Sequence, residues 1–214
     1  MSARRILWGR VALGLSLVVV LALTLAIALF EKANPDSFAG KRQAQVPDFV
    51  LTDQDGLPFT SQSLKGKVWV ASFIFTRCTA ACPAMAGKLL QVQEAVKAVP
   101  ALAEKVCLLS FSVDPKRDTP EDLSSFSKAS RADPNLWRFL TGEEGVVVQL
   151  SQEGFSLGAN DGAAPAGDPA PELVHSDRFV LVDTEGYIRG YYRLTSEEGD
   201  LERLIGDIRH LASR

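Results

Sequence analysis

Two cysteines four positions apart, Cys78 and Cys82, are the residues whose type and spacing could carry chemistry in this sequence. A thiolate is a nucleophile and a soft metal ligand, so a close pair can cycle between dithiol and disulfide or bind a metal ion. The alternative is a structural disulfide, but a bridge across so short a loop would remove little entropy from the unfolded chain. The pair is therefore predicted to have a chemical role.

The segments around the pair predict a strand, a short loop and a helix. The apolar run from Val68 to Phe75 is interrupted only by Ser72 and is typical of a strand covered on both faces. Pro83 fits the first position of the following helix. Both sulfurs would then lie beside free backbone N–H groups at a helix amino terminus, where the helix dipole favours the thiolate.

A second nearly continuous apolar run, from Val106 to Val113, predicts a strand beside the first. Its Cys107 is predicted to be a small buried hydrophobe without a reactive role. Thr119 can cap a helix that opens at Pro120. The order strand, helix, strand, helix indicates an α/β domain with a central sheet flanked by helices.

Further elements are predicted on either side of this pattern: a hairpin (49–52 with 57–60), a strand (136–140), a helix opened by a capping box at 141–144, a hairpin (178–182 with 187–193) and a final helix. In the final helix, Asp207 and His210 are assigned to the polar face. Met85 belongs to the apolar stripe of the helix after the cysteines, so we expect it in the core and not as a metal ligand.

His175 is one of only two histidines and follows a long loop rich in Gly, Ala, Pro and Asp. Its position at a loop-to-strand junction makes it a candidate third ligand. The alternative is a histidine whose ring is satisfied by local backbone hydrogen bonds. Two thiolates and one imidazole suit Cu(I), can hold Cu(II) with an added oxygen ligand, and could take zinc with a fourth ligand.

The amino-terminal segment 11–30 contains no charged residue, and about 20 apolar residues in a helix span the hydrocarbon core of a bilayer. This run is longer than the apolar region of a cleavable signal peptide, so we expect an uncleaved transmembrane anchor. The basic residues of tail 1–10 favour a cytoplasmic amino terminus. Residues 31–45 are predicted to be a linker, and residues 46–214 the globular domain.

Composition excludes two classes of protein. All 26 acidic residues follow position 30, together with 20 of the 23 basic residues, and this net negative charge argues against a nucleic-acid partner. Three cysteines in 214 residues are too few for a disulfide-built scaffold.

From about Val46 to its end, the sequence resembles the SCO/SenC proteins, membrane-anchored copper chaperones with a thioredoxin-like domain. Four ordered motifs are similar to that family's signatures: Phe75-Thr76-Arg77-Cys78 with Cys82-Pro83, Val113-Asp114-Pro115 with Asp118-Thr119-Pro120, Trp137-Arg138-Phe139-Leu140-Thr141-Gly142, and His175-Ser176. The cysteine motif departs from the family's pattern, because Thr79 stands where a proline often follows the first cysteine, and Ala80 and Ala81 replace more polar residues.

The resemblance implies that Cys78, Cys82 and His175 bind copper, with Asp114 near the site. It also implies delivery of copper to, or maintenance of the thiols of, a cytochrome c oxidase copper site, with that subunit, other copper chaperones or thiol reductants as partners. The implied location is the bacterial inner membrane with the domain in the periplasm, or the mitochondrial inner membrane in a eukaryote.

Two other functions use a reactive cysteine of the same kind. A thiol-disulfide oxidoreductase would use the Cys78/Cys82 pair and need no His175, but its usual C-x-x-C spacing is one residue narrower. A peroxiredoxin carries a threonine ahead of its reactive cysteine, and Phe75 occupies that place here.

Overall fold

The computed structural model of the protein describes residues 40–157, 177–194 and 200–214. The predicted anchor 11–30 and the candidate ligand His175 lie outside the described residues. Within those three ranges, no helix is both long enough and apolar enough to cross a membrane.

One mixed sheet organises the described part of the chain, with seven strands in the order β2-β1-β5-β4-β3-β6-β7. The strands are β1 (Val50–Asp53), β2 (Pro58–Thr60), β3 (Val68–Ile74), β4 (Val106–Ser112), β5 (Trp137–Thr141), β6 (Phe179–Val182) and β7 (Ile188–Tyr192). Strand β4 is parallel to both β3 and β5, and the other pairs are antiparallel. The two predicted hairpins and the pairing of β3 with β4 are therefore confirmed.

The helices are α1 (Ala81–Lys97), α2 (Pro100–Ala103), α3 (Pro120–Ala129), α4 (Glu144–Gln149) and α5 (Asp200–Ala212). The predicted cap of α3 is confirmed, since Thr119 and Asp122 form a reciprocal capping box. The capping box predicted at Thr141 is wrong, because Thr141 is the last residue of β5 and pairs with Thr52. Helix α4 follows Glu143, which makes no side-chain cap hydrogen bond.

Strands β3 and β4 form the centre of the core, and every residue of both is buried. The hydroxyls of Ser72 on β3 and Ser110 on β4 are 2.9 Å apart, and the indole N–H of Trp137 on β5 donates to Ser110 Oγ at 2.9 Å. Cys107 is buried as predicted, and burial raises its pKa to about 11.

The turns of the two hairpins are built alike. The Asp53 carboxylate accepts hydrogen bonds from the backbone of Asp55 and Leu57, and Asp183 accepts from Glu185 and Tyr187 in the same way. Each turn then closes at a glycine with a positive φ, 75° at Gly56 and 85° at Gly186, a conformation that other residues rarely adopt. These aspartates therefore fix both hairpins through their own turns.

The final helix departs from its predicted polar face. Asp207 is buried, and its Oδ2 accepts a 2.5 Å hydrogen bond from the Tyr192 hydroxyl on β7. His210 is half-buried. Burial raises the pKa of the Asp207 carboxyl above its ordinary value. The assignment of Asp207 to the surface was wrong because its hydrogen-bond donor lies on a distant strand that helical periodicity cannot identify.

Candidate metal and dithiol site

The two cysteines lie at the carboxyl edge of the parallel strands, where β3 leads into α1. Cys78 follows the end of β3 by four residues, and Cys82 is the second residue of α1. The backbone N–H of Cys82 donates a hydrogen bond to Sγ of Cys78 at 3.2 Å. Cys78 is half-buried and Cys82 is buried, and both are free thiols. The prediction that the pair lies where a strand leads into a helix is confirmed, with Cys78 in the loop and Cys82 in the first turn of the helix.

Helix α1 begins two residues earlier than predicted, at Ala81 and not at Pro83. Pro83 is still within the first turn, where a residue without an N–H removes no intrahelical hydrogen bond. The early start brings Cys82 into the helix, so that its N–H is one of the unsatisfied donors of the first turn. The sulfur of Cys78 accepts from this donor, and the two cysteines are held together as a consequence.

The pKa of Cys82 is shifted in the direction opposite to the sequence-based prediction. Burial raises the pKa of the Cys82 thiol well above its ordinary value, against a smaller opposing effect of a backbone hydrogen bond at Phe75. The helix amino terminus was predicted to favour the thiolate, and for Cys82 this is wrong because desolvation favours the neutral thiol. A metal ion that binds Cys82 must therefore displace its proton.

A buried carboxylate, Asp118, supports the loop that carries Cys78. Asp118 is 1% exposed and accepts hydrogen bonds from the Thr76 backbone N–H at 3.1 Å and the Thr76 hydroxyl at 2.6 Å. Its other principal contact is the Ser112 hydroxyl at the end of β4, also at 2.6 Å. No sequence pattern predicted a role for Asp118. The polar residues that follow both central strands were the signal that could have identified it.

The Asp114 carboxylate, predicted to lie near the site, bonds within its own loop. Its Oδ2 accepts from Arg117 at 3.2 Å, and its backbone oxygen accepts from the N–H groups of Arg117 and Asp118. The structure therefore gives Asp114 a role in shaping the loop that presents Asp118.

Met85 is buried in the core, 3% exposed, as predicted.

The pair supplies two donors to a metal ion. Within the described residues, no group of three or more His, Cys, Asp or Glu side chains could hold one. Two adjacent sulfurs, one of them half-exposed, fit a soft ion of low coordination number. The third predicted donor, His175, lies outside the described residues, so its place relative to the sulfurs stays a prediction.

A parallel β-α-β core with a dithiol at the start of its first long helix defines a thioredoxin-like domain with a widened C-x-x-x-C motif. The family model described as SCO1/SenC matches residues 39–213, so the chain belongs to the SCO1/SenC family.

Individual relatives agree with this assignment. The SCO1 protein homolog of Bacillus subtilis (strain 168) is 32% identical over 165 residues, which is 77% of this chain and 81% of that protein. The solved structure of BsSco is 30% identical and has a TM-score of 0.65, covering 79% of this chain and 94% of that chain. BsSco is described as a member of the Sco family of cytochrome c oxidase assembly proteins in which a disulfide switch was identified.

A copper-bound structure is also similar. ScoI of Bradyrhizobium japonicum, solved with copper bound, is 26% identical and has a TM-score of 0.61, covering 78% of this chain and 99% of that chain.

Proposed function

We propose that this protein binds one copper ion through Cys78, Cys82 and His175 and acts as a metallochaperone for the copper site of a cytochrome c oxidase. The observation that carries the proposal is the position of the Cys78 sulfur against the Cys82 N–H, which brings two soft donors together at a half-exposed edge of the domain. Copper-bound and oxidase-assembly relatives support the choice of metal and target.

The chemistry of the pair suits a carrier more than a permanent metal site. Two thiolates satisfy Cu(I), whereas Cu(II) prefers the addition of nitrogen or oxygen donors such as His175. A disulfide has lost the anionic sulfur donors, so oxidation of the pair blocks the site. Copper occupancy and thiol redox state are therefore coupled, and the same pair could load copper or maintain the thiols of its target.

The proposed function includes a location in the cell, which rests on the amino-terminal segment 11–30. Segment 11–30 anchors the protein in the inner membrane, with the domain in the periplasm of a bacterium or facing the equivalent space in a mitochondrion. The partners are the copper-site subunit of the oxidase, and chaperones or thiol reductants that load or reduce the pair.

The second candidate is a thiol-disulfide oxidoreductase. The 3.2 Å contact between Cys82 N and Cys78 Sγ favours a pair that can close to a disulfide, and the greater exposure of Cys78 makes it the sulfur that a partner disulfide would meet. Such an enzyme would work without His175.

Copper titration of the full-length protein in detergent separates the two candidates. Three reduced proteins are titrated anaerobically, once with Cu(I) and once with Cu(II): the parent, His175→Ala and Cys107→Ala. Cys107→Ala is the control, because it removes a thiol outside the site. If the protein is a metallochaperone, the parent and the control should each bind one copper per chain, and His175→Ala should bind Cu(II) more weakly. Equal binding of both copper states by His175→Ala, with retained reduction of partner disulfides, would describe a reductase.

A further inference from the structure

We propose that Asp118 is the positioning residue of the copper site, holding the Cys78 sulfur in place through Thr76. The inference rests on the proposed copper function, and it concerns a carboxylate that does not itself touch the cysteines.

The contacts of Asp118 join three separate segments of the chain. Its carboxylate binds the backbone N–H and the hydroxyl of Thr76 at the end of β3, and the hydroxyl of Ser112 at the end of β4. Ser112 Oγ also accepts from the backbone N–H of Asp114 at 3.1 Å, which ties the loop before α3 to the same point. The sheet edge and this loop are thereby locked to one buried side chain.

Thr76 transmits this constraint to the site because Cys78 follows it by only two residues. The intervening Arg77 is exposed, and the Cys78 N–H donates to the Phe75 oxygen at 3.2 Å. The turn is therefore held by that backbone bond on one side and by the Asp118 carboxylate on the other. Hydrogen bonds to a buried carboxylate are short and roughly twice as strong as neutral ones, so Asp118 provides the firmer constraint.

A fixed turn matters for two sulfurs that act together. The effective concentration of one sulfur at the other falls when the loop that carries it gains freedom. Loss of the Thr76–Asp118 contact should therefore weaken both two-sulfur copper binding and closure of the Cys78–Cys82 disulfide, with Cys82 still fixed in α1.

The chain offers matched variants for the test. Thr76→Val removes one hydroxyl without changing charge, Asp118→Asn removes the carboxylate at nearly constant volume, and Thr76→Ser keeps both donors. Asp122→Asn is the control, because Asp122 lies in the same stretch but its hydrogen bonds go to Thr119 at the α3 cap. Each substitution is made singly in the full-length protein. One double variant combines Thr76→Val with Asp118→Asn.

Two measurements are made on each variant: the metal-free dithiol-disulfide equilibrium against glutathione, and Cu(I) affinity by competition with a chelator. We expect Asp118→Asn to lower the constant for disulfide formation by about tenfold, which is about 30 mV for a two-electron couple. Cu(I) affinity should fall by a similar factor of about ten. Thr76→Val should shift both quantities in the same direction, the double variant should lose no more than Asp118→Asn alone, and Thr76→Ser should match the parent.

Either of two results would overturn the inference: shifts in Asp118→Asn no larger than those in Asp122→Asn, or losses that simply add in the double variant. Failure of the proposed function is distinguishable, because a parent that binds no copper still reports the role of Asp118 through the metal-free equilibrium. If Asp118→Asn does not fold, Thr76→Val against Thr76→Ser decides the question.

Discussion

The backbone N–H of Cys82 donates to the sulfur of Cys78 across 3.2 Å, so the first turn of α1 holds one cysteine against the other. This contact uses a donor that every helix leaves without an internal partner. It keeps the pair close while both residues are thiols, which is the state that can receive a metal ion.

Replacement of either cysteine by serine should nearly abolish Cu(I) binding, with a loss of more than about tenfold, because a hydroxyl is a poor ligand for a soft ion. Competition titration against a Cu(I) chelator measures the effect for Cys78→Ser and Cys82→Ser separately. Cys107→Ala should match the parent, and a normal affinity in either serine variant would mean that the pair is not the copper site.

Thiol labelling of the folded, reduced protein should distinguish the three cysteines. Cys78 is half-buried and should react first, whereas Cys82 and Cys107 are buried and their pKa values are raised by desolvation. Mass spectrometry of labelled peptides over time at neutral pH gives the order. Since the pKa of Cys107 is raised to about 11, its labelling should still be slow at pH 9. Three equally fast thiols would contradict the burial of the site.

The buried hydroxyls between β3 and β4 should contribute to stability. Ser110→Ala would leave the Trp137 indole N–H without its acceptor, while the Ser72 hydroxyl would keep only its hydrogen bond to the Leu109 oxygen. The expected cost is about 1–3 kcal/mol in the free energy of unfolding. Denaturant unfolding followed by circular dichroism measures it. The control is Ser125→Ala at an exposed position of α3, expected within about 0.5 kcal/mol of the parent.

Asp207 should give the unfolding free energy a defined pH dependence. Its pKa is raised in the folded state by burial, despite opposing effects of the Tyr192 hydrogen bond and nearby Arg203, so the folded protein holds this proton more tightly than the unfolded chain does. The stability that this preference contributes is fully present below the unfolded pKa and is lost as pH rises through the folded pKa.

Asp207→Asn cannot titrate at this position, so its stability relative to the parent should improve as pH rises above the unfolded value of 3.8. Parallel denaturation curves of the two proteins from acidic to neutral pH give this difference. If the difference in free energy of unfolding between the two proteins stays constant over this range, or if the parent becomes relatively more stable as pH rises, Asp207 does not titrate with a raised pKa.

The amino-terminal segment makes a separate prediction. If residues 11–30 form an uncleaved anchor, the protein should stay in the membrane fraction after alkaline carbonate washing, because the apolar segment remains in the bilayer. Intact-mass analysis of the purified protein serves as the companion measurement. Release by carbonate, or a mature amino terminus near residue 31, would contradict the anchor.

Local patterns predicted most of the fold, because each relevant signal lies within one element. The continuous apolar runs identified β3 and β4, and the turn residues identified both hairpins. The capping box predicted at Thr141 was wrong because Thr141 belongs to β5, which pairs with β1. Strand pairing depends on the whole sheet, so the local Thr-x-x-Glu pattern could not reveal it.

The cysteine pair was predictable from the sequence, and the contacts that support it were not. Cys78 and Cys82 were evident from their spacing, whereas the bonds of Asp118 to Thr76 cross 42 positions of sequence. The raised pKa of Cys82 was also missed, since desolvation depends on the neighbours that folding brings around the sulfur. Both depend on tertiary contacts that no local pattern encodes.

X-ray absorption at the copper edge, on the full-length protein loaded anaerobically with one equivalent of Cu(I), tests the central claim most directly. The proposal predicts a first shell with two sulfurs and one imidazole nitrogen in the parent, and the same two sulfurs without that nitrogen in His175→Ala. A shell without sulfur, or an identical nitrogen contribution in both proteins, would contradict copper binding by Cys78, Cys82 and His175.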